Sequence, residues 1–246
     1  GLFSFEENNI SGMKKYTTLD GMLSNELTSG TADLSGNIWT GAADGSINVF
    51  NQASGTFRIV ADIRNSTEPS RQINHFFQYG NNMYIATKFC IVKFSISQFQ
   101  FVDQPYLTLG TLPTKSPVNW IHVVNDTIWA ATNYGIAYAN VNSNLPISSI
   151  WKNYTTNNSV LNKNLINSIA YFDNKVFFGT DSGMVYYQNG TLIKYEPLYN
   201  GINVTDPVNN LNAVGNSLYF NTYRNSNRIF RVNTSNLNNA VLIYEG

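Results

Sequence analysis

Charge is scarce in this sequence: Asp, Glu, Lys and Arg make up 12% of its 246 residues, and fifteen basic side chains balance fifteen acidic ones. A neutral, thinly charged chain carries no electrostatic footprint for nucleic acid or for an anionic membrane surface. Cysteine is nearly absent too. Cys90 stands alone, which excludes an internal disulfide and leaves the redox compartment undetermined. No apolar run approaches the roughly 18 residues of a membrane-spanning helix, so no membrane insertion of this segment is expected. No signal peptide begins at Gly1, as in a piece excised from a longer protein. Segments rich in Ala, Leu and Glu, the usual material of helices, are missing. So are a glycine-rich phosphate cradle, HExxH and GxSxG, and neither a cofactor nor a metal is expected.

Aromatics are plentiful, at 14% with fifteen Tyr and fifteen Phe, and these suit pleated sheets. They also recur. Trp39, Tyr84, Trp129, Phe177 and Tyr219 each sit in a short apolar run, separated by 45, 45, 48 and 42 residues. A period in the forties, without the 3.6-residue rhythm of helical solenoids, is the signature of propeller blades. Four residues before each aromatic begins a turn pair: Ser35-Gly36, Gly80-Asn81, Asn125-Asp126, Asp173-Asn174 and Gly215-Asn216. These residues tolerate the positive φ of tight hairpins. The pattern predicts first strands at Leu27 to Ala32, Ile73 to Gln78, Val118 to Val123, Ile166 to Tyr171 and Leu211 to Val214. Third strands follow the aromatic ones, as in Ile47 to Phe50 or Met184 to Tyr187, and fourth strands such as Phe57 to Val60, Phe99 to Val102 and Val241 to Tyr244 complete each unit.

The expected fold is therefore all-β, a β-propeller of four-stranded antiparallel blades, with five full blades plus half of another. The blades fall at about 24–60, 72–107, 117–154, 165–196 and 209–244, after a half at 1–17. Two residues beyond the aromatic, on the same face, stand Gly41, Ala86, Ala131 and Gly179, small enough for a neighbouring sheet to approach. Asn221 breaks that rule, so the last blade either packs differently or has slipped by one residue. Gly1 to Glu6 aligns with third strands and Met13 to Thr17 with a fourth. Residues 1–246 are read as a single propeller domain or a fragment of one. The alternative is a six-bladed ring with one incomplete blade.

Asp20-Gly21-Met22-Leu23-Ser24-Asn25, followed by Asp33-Leu34-Ser35-Gly36-Asn37-Ile38-Trp39-Thr40-Gly41 and Asp44-Gly45, resembles the two-component regulator propeller repeat, GLPSN with DxxGNIWxGT. Later copies keep only its skeleton. The GLFSF start, and the GIAYAN strand leading to Trp151-Lys152-Asn153-Tyr154, is similar to the amino-terminal propeller of PorZ-like type IX secretion proteins. That resemblance implies a protein exported to the periplasm or outer surface of a Gram-negative bacterium. Its partners would be secretion-system or surface proteins, including a sortase that matures and anchors cargo, or a cell-surface glycan. The same repeats build sensor ectodomains of hybrid two-component regulators, which imply glycan binding and a kinase downstream. Cys90 stands where other copies have Gly45, Gly135 and Gly183, a departure from the pattern.

Chemistry-bearing residues are few. His75 and His122 lie on adjacent first strands without a third ligand, and a structural role is expected for both. Cys90 has no spacing that pairs it with a histidine, and Glu6 and Glu7 are sequence neighbours, a poor geometry for paired acid and base. No enzymatic activity is expected, although a propeller glycan lyase or hydrolase assembled from different blades is the third reading. The most regular polar feature is an Asn near the start of the first strand: Asn74, Asn119, Asn167 and Asn212, with Thr28 in the first copy. Such a set can ring the mouth of a channel and hold a polar ligand; the plainer and preferred reading has each Asn capping its own loop. Turns and connections on the same end carry Lys88, Phe89, Asn133, Tyr134, Asp181, Ser182, Tyr223 and Arg224. Aromatics and amides together suit sugars or peptides.

Overall fold

A computed structural model describes residues 1–6, 9–223 and 226–246. Nearly all of these residues lie in antiparallel sheets or the turns between them, and the protein is an all-β propeller chain. Two compact units are present, Gly1–Pro105 and Tyr106–Gly246.

The first unit contains the two-stranded half-blade Leu2–Glu6 with Asn9–Tyr16, then blade one from Leu27–Ala32, Ile38–Ala42, Ile47–Asn51 and Thr56–Val60. Blade two follows from Ile73–Tyr79, Asn82–Thr87, Ile91–Ser95 and Gln100–Phe101. Its last strand is shorter than the expected Phe99 to Val102, because Phe99 turns the chain at φ 54°. The core of the unit is one blade interface. Trp39, Ile47, Val49 and Val60 meet Ile73, Phe76, Met83, Ile85 and Phe94, and Trp39 lies edge-on to Phe94 with ring centroids 5.4 Å apart.

The second unit stacks three blades. Blade three is Val118–Val124, Thr127–Thr132, Gly135–Asn140 and Lys152–Tyr154, and blade four is Ile166–Phe172, Lys175–Thr180, Gly183–Gln188 and Thr191–Tyr195. Blade five is Val208–Val214, Ser217–Tyr223, Asn227–Asn233 and Asn236–Glu245. Its sheet is widened by the short strands Leu198–Tyr199 and Ile202–Asn203, which the repeat pattern did not announce. Trp129, Ala131 and Ile136 pack on Ile169, Val176 and Phe178, and Phe177 packs in turn among Leu211, Leu218 and Phe220.

Two of the five turn pairs are left-handed at both residues, whereas in Ser35-Gly36, Gly80-Asn81 and Gly215-Asn216 only the glycine is. Asn125 and Asp126 have φ of 48° and 55°, and Asp173 and Asn174 have 49° and 57°, so both central residues are left-handed as a primed hairpin requires. The small residues do what their size suggests. A Cβ on Gly41 would collide with the Ile73 side chain, and one on Gly179 would lie 3.0 Å from Val208 Cγ1. Ile73 and Val208 open the next blade's first strand, and both are wholly buried.

One expectation is corrected. Every first strand carries a bulge two residues in, between Leu27 and Ser29, Ile73 and His75, Val118 and Trp120, Ile166 and Ser168, and Val208 and Asn210. The last first strand thus begins at Val208 rather than Leu211, and the residue corresponding to Asn74, Asn119 and Asn167 is Asn209, not Asn212. Asn221 has not slipped either. Tyr219 faces Arg231 and Asn212 just as Phe177 faces Tyr186 and Ala170, so the register is kept. What differs is packing: among the described residues no further sheet of this unit covers that face, and Tyr219 and Asn221 remain half-buried.

Candidate functional site

The bulge decides what the repeated asparagines do. An extra residue in a strand leaves the ladder and its side chain is re-aimed. Thr28, Asn119 and Asn167 are those extra residues, and each reaches the main-chain carbonyl that opens the next blade. Thr28 Oγ1 donates to Ile73 O at 2.6 Å, Asn119 Nδ2 to Ile166 O at 2.8 Å and Asn167 Nδ2 to Val208 O at 2.9 Å. They are interblade clasps rather than caps of their own loops. Asn119 Nδ2 also donates to Asn133 Oδ1 at 2.9 Å, tying the clasp to the turn between the second and third strands. Asn74 accepts from Gln72 Nε2 at 2.9 Å. Asn212 lies in the ladder opposite Tyr219, and it is exposed. Replacing Asn167 by Leu is expected to cost about 1–2 kcal/mol, the worth of a hydrogen bond to a part-buried carbonyl. A lowered urea midpoint at constant slope shows it, whereas an unchanged midpoint removes the clasp from the energetics.

A second set of residues, which the sequence reading missed, shapes the turns at this end. Thr87, Thr132 and Thr180 close the second strands, are buried, and sit three residues beyond the recurring aromatic, a spacing that could have revealed them. Thr132 Oγ1 accepts from Tyr134 N at 3.0 Å and donates to Gly135 O at 2.7 Å. Thr180 does the same for Ser182 and Gly183, at 3.1 and 2.9 Å. Thr87 accepts from both Phe89 N and Cys90 N.

These tightened turns present their outer residues differently. Tyr134 is 45% exposed and Asn133 is open to solvent. Phe89, expected on the surface, is 8% exposed and packs with Ile63 and Cys90 in the blade core. Lys88 is half-buried, with its main-chain N–H on Gln72 O at 3.1 Å. In the second unit Tyr223 Oη donates to Asp181 Oδ1 at 2.7 Å, joining loops of blades four and five across 42 residues of sequence. Arg224, and Glu7 of the acidic pair, lie outside the described residues.

The titratable groups offer little for bond-making chemistry. Cys90 is 1% exposed, which withholds its thiol from solution reagents. Burial pushes the His122 imidazole down to about 4, leaving it neutral at pH 7 beside its ladder partner Trp129. Among the described residues no three His, Cys, Asp or Glu side chains gather as metal ligands. The larger hollows are open grooves: one of about 390 Å³ over Tyr219, Asn221, Ile229 and Tyr244 of blade five, and one of about 630 Å³ beside the half-blade.

Four-stranded blades stacked face to face, clasped at one end and carrying polar turns there, define a β-propeller module. Residues 1–152 match the family described as the type IX secretion PorZ N-terminal β-propeller domain, and the chain belongs to that family. Solved structures agree in fold. PorZ of Porphyromonas gingivalis, an essential bacterial surface component of the type IX secretion system, superposes with a TM-score of 0.71 at 13% identity, over 94% of this chain and 29% of that one. The extracellular domain of the putative one-component system BT4673 of B. thetaiotaomicron gives 0.70 at 16% identity, over 92% of this chain and 29% of that one. The extracellular domain of the putative hybrid two-component system BT3049 from the same organism gives 0.67 at 16%, over 99% and 31%. The chain spans less than a third of the length of these proteins. A search of curated proteins returned no match. No helix among the described residues is long and apolar enough to cross a membrane.

Proposed function

We propose that this chain is an exported interaction module of type IX secretion, displayed in the periplasm or at the outer cell surface, which holds a partner protein on the turn-bearing end of its blades. The observation that carries this reading is the bridged polar end of the second unit. Asn119 fixes Asn133, Tyr223 fixes Asp181, and Tyr134 stands exposed on a turn whose geometry Thr132 sets. Rigid amide and aromatic groups lose little side-chain entropy on contact, which favours protein or glycan recognition over catalysis. Family membership supports the secretion setting. The partner that best suits it is the type IX sortase.

The test is surface-plasmon binding of the purified chain to the purified sortase, beside a panel of cell-surface glycans. Sortase binding that falls at least tenfold in the double variant Asn133→Ala, Tyr134→Ala, with an unchanged melting midpoint, supports the proposal. Glycan binding without sortase binding transfers the module to the sensor-ectodomain reading, as does a histidine kinase encoded in the same reading frame.

A further inference from the structure

The interface between blades one and two departs from the others in two places. Opposite the recurring aromatic of the second strand stands a long side chain of the third: Lys93 beside Tyr84, Tyr138 beside Trp129, Tyr186 beside Phe177. In blade three that side chain fills the interface, since the Tyr138 ring stacks on Trp129 at 4.7 Å. Blade one has Val49 there, opposite Trp39. So short a side chain leaves space over the indole, and a pocket of about 110 Å³ remains, floored by Trp39, Val49 and Ile96.

The second departure is the pocket wall. The hairpins between third and fourth strands match in these two blades: Ser54 N donates to the Asn51 side chain and Gln98 N to the Ser95 side chain, three residues back in each. The following residue is Gly55 in blade one, at φ 68°, and Phe99 in blade two, at φ 54°. A bulky side chain is rare in that left-handed conformation, and such strain persists where the surroundings hold it, often at ligand clamps. The Phe99 ring packs on Phe94 at 5.2 Å and Trp39 at 6.3 Å, and over it lies the Arg58 guanidinium, 3.3 Å from the ring centroid. Arg58 is exposed, and among the described residues it has no carboxylate partner. The carboxylate that lines the pocket, Asp33, already accepts from four N–H groups. A guanidinium lying on a ring directs its N–H groups outward in its own plane, the geometry in which Arg holds a carboxylate by two bonds. Asn51 Nδ2 gives one N–H to Asn37 Oδ1 at 2.9 Å and has a second for an acceptor in the pocket.

From this we infer that the pocket between blades one and two binds a carboxylate attached to a short branched apolar group. The apolar group rests on Trp39, Val49 and Ile96, and the carboxylate at the mouth pairs with Arg58. Volume sets the size of the ligand: a cavity of about 150 Å³ takes a benzene ring, so this one takes about four carbons. Two sources carry that chemistry, a free short-chain acid and the carboxy-terminal residue of a protein that ends in an aliphatic side chain. The pocket lies beside the hairpins of the first unit rather than its turns, and it does not depend on the partner-protein reading.

The probes are isovalerate for the free acid, N-acetyl-leucine for the chain terminus and the neutral isovaleramide as control. Each is titrated against the whole chain and followed by calorimetry and by the ligand's methyl proton resonances. Expected are saturable binding of at least one acid, methyl resonances moved upfield by the rings of Trp39 and Phe99, and at least tenfold weaker binding of the amide than of isovalerate. Arg58→Gln, a surface change that should leave the melting midpoint where it is, is expected to lose at least tenfold in affinity for the acid. Val49→Tyr, which restores the ring found in blade three, should abolish binding. Tighter binding of N-acetyl-leucine assigns the pocket to a chain terminus, and tighter binding of isovalerate assigns it to a free acid. Absence of saturable binding by both acids, equal binding of isovalerate and its amide, or undiminished affinity in Arg58→Gln overturns the inference.

Discussion

Trp129→Ala is expected to lower the unfolding free energy by about 3–5 kcal/mol, the cost of emptying a large aromatic site in a packed core. The residue is 3% exposed and joins two blades at once. Within blade three it stacks on Tyr138 with 4.7 Å between ring centroids and a 20° tilt, and Tyr138 stacks in turn on Tyr154 at 5.4 Å and 11°. Across the interface it meets Phe178 edge-on at 5.5 Å and Tyr187 at 4.7 Å. These neighbours belong to rigid sheets, so the hole cannot collapse and the loss lies toward the upper end of the range. Equilibrium urea denaturation checks it, and an unchanged midpoint would sink the interface assignment. Trp129→Phe keeps part of the ring area and should cost about half as much.

The repeat was legible because hairpins are written locally. The turn pairs announce residues that tolerate positive φ, and an aromatic followed two places on by a small residue announces a face against which another sheet can lie. In the structure each second strand runs through the recurring aromatic. The last first strand was misplaced for a different reason. Val208 follows Pro207 and precedes three polar residues in four, and nothing in that run looks like a strand until the bulge is seen to remove Asn209 from the ladder. The role of Asn119 and Asn167 was hidden for the same reason: their partner is a main-chain carbonyl of another blade, which no side-chain pattern reports. Phe89 and Tyr134 occupy the same turn position two residues past the closing threonine. One is in the core and the other in solvent, because Ile63 and its neighbours cover only the first.

The stretch Asp33 to Trp39, which resembles the propeller repeat motif, is built physically around an acceptor site for four donors. Asp33 Oδ1 accepts from Ser35 N at 2.9 Å and Asn37 N at 2.8 Å, while Oδ2 accepts from Asn37 Nδ2 at 2.9 Å and from the buried Trp39 Nε1 at 3.0 Å. One carboxylate thereby shapes the hairpin that Gly36 closes at φ 80° and anchors the indole that fills the interface with blade two. Asp33→Ala leaves the indole N–H and the turn amides without their acceptor, and is expected to cost about 2–4 kcal/mol. Burial alone would raise the Asp33 pKa, but the hydrogen bonds from Trp39, Asn37 and Ser35 outweigh it and hold the group below the ordinary value of 3.8. Its folded form therefore prefers the ionised carboxylate. That contribution is fully present above the unfolded value and is lost as pH falls through the lower folded one. Urea midpoints measured at falling pH from pH 6 should draw together for the wild type and Asp33→Asn as the wild type loses its charge. Curves that stay parallel across the whole range would show that the carboxylate's charge, as distinct from its shape, does not hold the indole.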